Sequence, residues 1–207
     1  MTILFLGPET SPLIAWLKAH ESNVVHTDQK ISDDYIRVNN VSFIVSFGYR
    51  HKISKLVLEA VSGRAVNLHI SYLPWNRGAD PNFWSFMEDT PKGVTVHFID
   101  EGLDTGDIIG QRAVDFDLYA ETLSTSYSRL HREVEGLFKE LWSSIKGGTC
   151  KRGRQVGAGS HHVSRDKQEL AWLLINGWDT PVSVLCEYSA RSPTHECHPN
   201  KVDRVSD

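Results

Sequence analysis

Between Thr2 and Ile70, short apolar runs alternate with stretches whose apolar residues recur at helical spacing, and few folds accept that rhythm. Thr2–Leu6 ends at Gly7, as a strand buried on both faces does. Ser11-Pro12 offers an N-cap and an N1 proline to a helix carrying Leu13, Ile14, Trp16 and Leu17. Asn23–Thr27 and Phe43–Phe47 read as further strands. Apolar positions 53, 56, 57, 60 and 61 share one helical face. Strands are expected again at Ala65–Ile70, Gly93–Asp100 and Asp107–Phe116. A long helix follows, with Leu123, Tyr127, Leu130, Val134, Leu137, Leu141 and Ile145 on one face, Thr122 as cap and Gly147-Gly148 as stop. Such alternation predicts an α/β fold with a mainly parallel sheet and helices on both faces.

With 207 residues, 40% of them hydrophobic, the chain can bury one sizeable core. We expect a catalytic domain over 1–150 and a short, partly irregular C-terminal extension over 151–207. The basic stretch Lys151-Arg152-Gly153-Arg154 is the joint, read as a solvated one. Beyond it we expect a helix from Ser164 to about Leu174, a turn at Asn176-Gly177-Trp178-Asp179 and a polar, partly disordered Ser192–Asp207. A net charge of -4 recruits neither nucleic acid nor an anionic membrane. No segment approaches the length of a membrane span, and the first residues lack the cationic start of a signal peptide. Cys150, Cys186 and Cys197 are few, odd in number and late, which suits free thiols in a cytoplasmic protein.

Within Ala65–Ile70, side chains alternate: Val66, Leu68 and Ile70 point one way, Asn67 and His69 the other. A buried strand is normally apolar on both faces, and the carboxyl end of such strands is where ligands bind in open α/β sheets. The loop after the next strand, Glu101 to Asp107, brings carboxylates to the same place. An amide can donate to an oxyanion growing on a carbonyl, an imidazole can move a proton or stabilise that oxyanion, and a carboxylate can orient the imidazole. Acyl transfer to a substrate's own amine needs no enzyme nucleophile, so Asn67, His69 and Asp104 suffice. A polar pair on a strand is nevertheless more often a satisfied structural network than a catalytic one.

The strings themselves add to this. Asn67-Leu68-His69-Ile70-Ser71-Tyr72-Leu73-Pro74 with Arg77-Gly78-Ala79-Asp80-Pro81 resembles the N-x-H-x-S-x-L-P…R-G-x-x-P signature of folate-dependent formyltransferases. Gly93–Ile108 is similar to their second signature, and Phe43–Glu59 to their strand, folate-binding loop and helix. The clear resemblance covers residues 40–148. It implies a Rossmann-like sheet (the formyltransferase fold) and 10-formyltetrahydrofolate as formyl donor, with no metal. Asn67 would polarise the formyl carbonyl, and His69 would stabilise the tetrahedral intermediate or shuttle its proton. Asp104 would pair with His69 and help deprotonate the amine. The pterin would sit against Gly48, Tyr49, Arg50, His51, Lys52 and Ile53 on one loop, and Asp100, Gly102 and Leu103 on the other.

Departures from better-known members narrow the acceptor. Where glycinamide ribonucleotide formyltransferases cradle a phosphate on a Gly-rich loop, this chain has Gly7-Pro8-Glu9-Thr10-Ser11-Pro12; prolines remove donors and Glu9 repels phosphate. Initiator-tRNA formyltransferases carry a larger basic C-terminal domain, and this chain is acidic. Compact members resemble it more, and Gly159-Ser160-His161-His162 with Asp166 loosely resembles a segment of their sugar-modifying enzymes. A nucleotide-linked amino deoxysugar, as used in surface polysaccharide biosynthesis, is the expected acceptor. Tyr72, Trp75, Arg77 and Gly78 are its candidate contacts, Arg77 toward a diphosphate.

Three other functions fit the same residues: formylation of an amino-acid or other small amine, hydrolysis of formyltetrahydrofolate, and a non-catalytic binding module of the same fold. His97 reads as a hydrogen-bonded core histidine rather than a second base. His195-Glu196-Cys197-His198 has metal-ligand residue types without the paired spacing of a zinc site. The apolar face of 123–145 reads as core packing, with a homodimer seam as the other use.

Overall fold

The computed structural model describes residues 1–191. In chain order the first elements are β1 (Thr2–Leu6), α1 (Pro12–His20), β2 (Val24–Thr27), α2 (Asp33–Val38), β3 (Val41–Phe47), α3 (Lys55–Ala60) and β4 (Ala65–His69). Next come a short β5 (Arg77–Gly78), α4 (Pro81–Met87), β6 (Gly93–Phe98), β7 (Ile108–Ala113) and α5 (Leu123–Gly147). Beyond these lie β8 (His161–His162), α6 (Ser164–Gln168) and α7 (Val182–Arg191), with 3-10 turns at Ala171–Leu173 and Gly177–Asp179. The main sheet has the order β2-β1-β3-β4-β6-β7. Pairs from β2 to β4 are parallel, whereas β6 lies antiparallel between β4 and β7. The sheet is thus mainly parallel and mixed, with a Rossmann-like first half.

Two apolar layers sandwich it. Ile3, Phe5, Phe43, Val45, Val66 and Leu68 face α1 and α5, while Leu4, Leu6 and Ile44 face α2 and α3. In α5, Leu130, Val134, Phe138, Trp142 and Ile145 are all at most 4% exposed, so its apolar stripe packs on its own sheet. Each such burial stabilises by about 1.5–3 kcal/mol. Thr122 and Thr125 form a reciprocal capping box at its start, and Gly148 at φ 70° ends it. A third cluster joins α4 to α7 through Phe83, Phe86, Val182 and Leu185.

Several local expectations are corrected. Ser11 precedes α1 without capping it; its buried hydroxyl has no hydrogen-bond partner. The strand expected over Asp107–Phe116 ends at Ala113, because β6, its neighbour there, runs out at Gly93. The helix expected from Ser164 to about Leu174 breaks after Gln168 into a 3-10 turn, since its residues lack a continuous apolar face: Trp172 is 62% exposed and Leu173 only 5%. The short α2 and α4, the β5–β8 pair and α7 went unread. His195-Glu196-Cys197-His198 and the polar tail from Ser192 lie outside the described residues. No helix among the described residues is long and apolar enough to cross a membrane.

Candidate active site

Because β6 pairs antiparallel with β4, Asn67 stands opposite His97 and His69 opposite Thr95. Both faces of these strands are buried, yet one carries amide, imidazole and hydroxyl groups, which must bond one another. The loop between β6 and β7 returns Asp104 over this polar face.

Asp104 is the hub. Asn67 Nδ2 donates to its Oδ1 at 3.1 Å, and the Gly78 backbone N–H donates to its Oδ2 at 2.9 Å. His97 Nε2 lies 3.4 Å from Oδ1 and His69 Nδ1 3.6 Å from Oδ2. Burial alone would raise this carboxyl's pKa. Charge attraction to His69, the contact with His97 and the Gly78 N–H outweigh it and hold Asp104 well below the usual carboxylate range. Asp104 sits at φ 54°, a left-handed conformation that costs an ordinary residue about 1 kcal/mol. Gly78, at φ 87°, approaches so closely that a Cβ there would lie 2.3 Å from the His162 carbonyl oxygen.

Ring partners fix the imidazoles. His97 Nδ1 is 2.8 Å from the Phe98 carbonyl, which only accepts, so Nδ1 carries the proton. Nε2, 3.3 Å from the Asn67 amide and 3.4 Å from Asp104 Oδ1, then accepts from the amide in the neutral ring and donates to the carboxylate in the charged one. His69 Nε2–H donates to the Asn76 carbonyl at 2.9 Å, leaving Nδ1 toward Asp104.

These residues open on a cleft of about 390 Å³. Of the residues expected from sequence, Asn67, His69, Asp104, Gly48, Tyr49, His51, Lys52, Ile53, Asp100, Gly102, Leu103 and Gly78 line it. Arg50, Tyr72, Trp75 and Arg77 do not. Tyr72 packs on Gly93, where a Cβ would come within 2.9 Å of its ring. The Trp75 carbonyl accepts from Ser71 Oγ at 2.7 Å. Arg77, expected to face a diphosphate, is turned instead onto Gln155, donating to its Oε1 through Nε and Nη2 at 3.0 and 2.8 Å. Its guanidinium was legible as a charge, but its partner lies 78 residues away in sequence.

Other lining residues escaped the sequence reading. His97 is 2% exposed and hydrogen-bonded, as expected of a core histidine, yet it also faces the cleft. The register with Asn67 was the signal that could have revealed it. A group of rings comes from distant elements: Phe47 at the end of β3, Tyr127 and His131 on α5, and Trp178 in the second 3-10 turn. Their centroids are 4.7 Å apart for Phe47–His131, 4.0 Å for Tyr127–His131 and 5.6 Å for Tyr127–Trp178. Burial pushes His131 down to about 4, so this wall is neutral at pH 7. Among the described residues, no group of His, Cys, Asp and Glu is arranged to hold a metal ion.

The parallel-then-mixed sheet brings Asn67, His69 and Asp104 together at its strand ends. The formyl transferase family model matches residues 11–141, and this chain belongs to that family. The phosphoribosylglycinamide formyltransferase of Bacillus subtilis (strain 168) is 37% identical over 100 residues, 48% of this chain and 51% of that protein. The methionyl-tRNA formyltransferase of Agathobacter rectalis is 31% identical over 149 residues, 72% of this chain and 47% of that protein. The chain thus spans about half the length of these two relatives. Among solved structures, the formyltransferase PseJ of Anoxybacillus kamchatkensis, in complex with UDP-4,6-dideoxy-4-formamido-L-AltNAc and tetrahydrofolate, is 48% identical with a TM-score of 0.86. That likeness covers 91% of this chain and all of PseJ.

Proposed function

We propose that this protein transfers a formyl group from 10-formyltetrahydrofolate to the amine of a nucleotide-linked amino deoxysugar. The observation that carries the reading is the likeness to PseJ over 91% of the chain, since PseJ holds a UDP-linked 4-formamido sugar beside tetrahydrofolate. A UDP-linked 4-amino-4,6-dideoxysugar is therefore the favoured acceptor.

In this mechanism the pterin lies against the loops Gly48–Ile53 and Asp100–Asp104. The sugar amine attacks the formyl carbon; a C–N bond forms and the carbonyl π pair moves onto oxygen. An Asn67 Nδ2–H, released from one of its two present partners, and a charged His69 stabilise the oxyanion. The attacking nitrogen loses a proton and N10 gains one as its bond to carbon breaks, with His69 relaying through Nδ1, since Nε2 is held by the Asn76 carbonyl. Asp104, held below the usual carboxylate range by its neighbours, assists deprotonation of the amine through His69. Its part is electrostatic: it holds the imidazole's orientation and stabilises its positive charge. The rings of Tyr127, His131 and Trp178 suit the apolar face and methyl group of a deoxysugar, and a neutral His131 does not repel an amine.

Mass spectrometry of reactions containing 10-formyltetrahydrofolate and a panel of nucleotide-linked 3- and 4-amino deoxysugars tests this. One panel member gains a formyl group with the wild type and not with His69→Ala. Formate release without any formylated sugar would overturn the acceptor class and favour hydrolysis.

A further inference from the structure

The family match ends at residue 141, yet side chains from beyond it add a brace to each end of the His69–Asp104 pair. Gln155 Nε2 donates to the backbone carbonyl of Asp104 at 2.8 Å and to that of Gly106 at 2.9 Å, while its Oε1 is gripped by Arg77. Ser160 acts on the other end. Its hydroxyl accepts from the Asn76 backbone N–H at 2.9 Å and donates to Asn76 Oδ1 at 3.0 Å. Asn76, fully buried, offers the carbonyl that receives His69 Nε2–H. Main-chain bonds from Arg77 N to Ser160 O (3.0 Å) and from Ala79 N to His162 O (2.9 Å) lay the segment along β5.

We infer that residues 155–162 form a strap that completes the active site, with Gln155 and Ser160 as positioning residues for Asp104 and His69. This rests on the roles proposed above for those two. The backbone supplies the reason. Asp104 at φ 54° and Asn76 at φ 56° are both non-glycine residues in the left-handed region. Each relaxes toward ordinary conformations unless outside bonds hold it. Relaxation of Asn76 would shift the carbonyl that orients His69; relaxation of Asp104 would swing the carboxylate away from it. Misplacement by about 1 Å costs a catalytic group on the order of a hundredfold in rate. The two braces are separate side chains, but each ends on one partner of the same pair.

Gln155→Ala, Gln155→Glu, Ser160→Ala and Ser160→Thr test it in the full chain by steady-state kinetics and by the imidazole N–H proton resonance of His69. Gln155→Ala and Ser160→Ala each lower kcat about tenfold or more. Both KM values stay within about twofold; the His69 Nε2–H resonance is lost or exchange-broadened in Ser160→Ala, which loosens the Asn76 carbonyl, and shifted in Gln155→Ala, which loosens Asp104 at the opposite ring nitrogen. Ser160→Thr, which keeps the hydroxyl, restores both. Gln155→Glu keeps an acceptor for Arg77 but loses the donors to the two carbonyls, and it fails as Gln155→Ala does. Wild-type kcat and an unchanged resonance in the alanine variants would overturn the strap. So would KM increases with the resonance intact, since these would mean a general cleft defect. If wild type formylates no acceptor, the proposed function falls, and the resonance alone then decides whether the strap positions His69.

Discussion

The two halves of the site are built differently. Asn67, His69 and His97 stand on paired strands inside two apolar layers, where ladder hydrogen bonds and side-chain packing leave them one position. Asp104 and Asn76 sit on loops in left-handed backbone, held by single bonds with Asn67, Gly78 and Thr90 and by two side chains of residues 155–162, Gln155 and Ser160. Strand residues are positioned by a cooperative structure that no single substitution dissolves. Loop residues are positioned by individual bonds, each of which can be removed.

The largest effect should come from the charge both halves share. Asp104→Asn keeps the shape but removes the anion facing two imidazoles, and kcat/KM is expected to fall about 10²–10⁴-fold at unchanged fold, read by steady-state kinetics and circular dichroism. A loss below tenfold would mean that the strand-borne residues work without the loop. Next, Gly78→Ala forces a Cβ against the His162 carbonyl at a left-handed φ. Expected are a destabilisation of about 1–3 kcal/mol in urea unfolding and a loss of activity exceeding that of a surface control. Equal effects of the two would show that β5–β8 is mere surface.

Acid unfolding separates the aromatic wall from the Asp104 hub by pH. His131 has its ordinary value of 6.5 in the unfolded chain and about 4 in the fold, so the unfolded state binds more protons between them. Stability therefore falls as pH drops from about 6.5 toward 4, and His131→Asn flattens that limb. Asp104 is depressed below its ordinary 3.8, so its contribution is intact above that value and is lost below it. Asp104→Asn abolishes only this second, more acidic limb. Urea midpoints at pH 7, 5 and 3 check both assignments. A smaller effect is expected from Trp178→Ala, whose ring is 53% exposed: stability unchanged, acceptor KM raised several-fold and donor KM constant. Smallest is Lys167→Ala, which frees Asp80 from an ion pair beside that ring; thermal unfolding should register less than about 1 kcal/mol.

Much of this is readable in the sequence. The strands Thr2–Leu6 and Phe43–Phe47 were legible because burial on both faces leaves a nearly uninterrupted apolar run. The α5 helix was legible because caps, stop and stripe agree. Asn67 and His69 announced themselves as polar residues where a strand should be apolar, and the linked strings around them resemble the family to which the chain belongs. Less visible were α2 and α4, too short for periodicity to accumulate, and the C-terminal helices, whose apolar partners sit on α4 rather than on the sheet.

The sequence by itself determined the architecture and singled out Asn67, His69 and Asp104 as candidates for the chemistry, because local pattern and strand alternation act over a few residues at a time. Only the tertiary structure decided who holds whom. It paired His97 with Asn67 across an antiparallel register, turned Arg77 from the cleft onto Gln155, and joined rings of β3, α5 and a late 3-10 turn into one wall. Those contacts bridge dozens of residues, and their partners are chosen by packing and by the demand that every buried polar group find a bond.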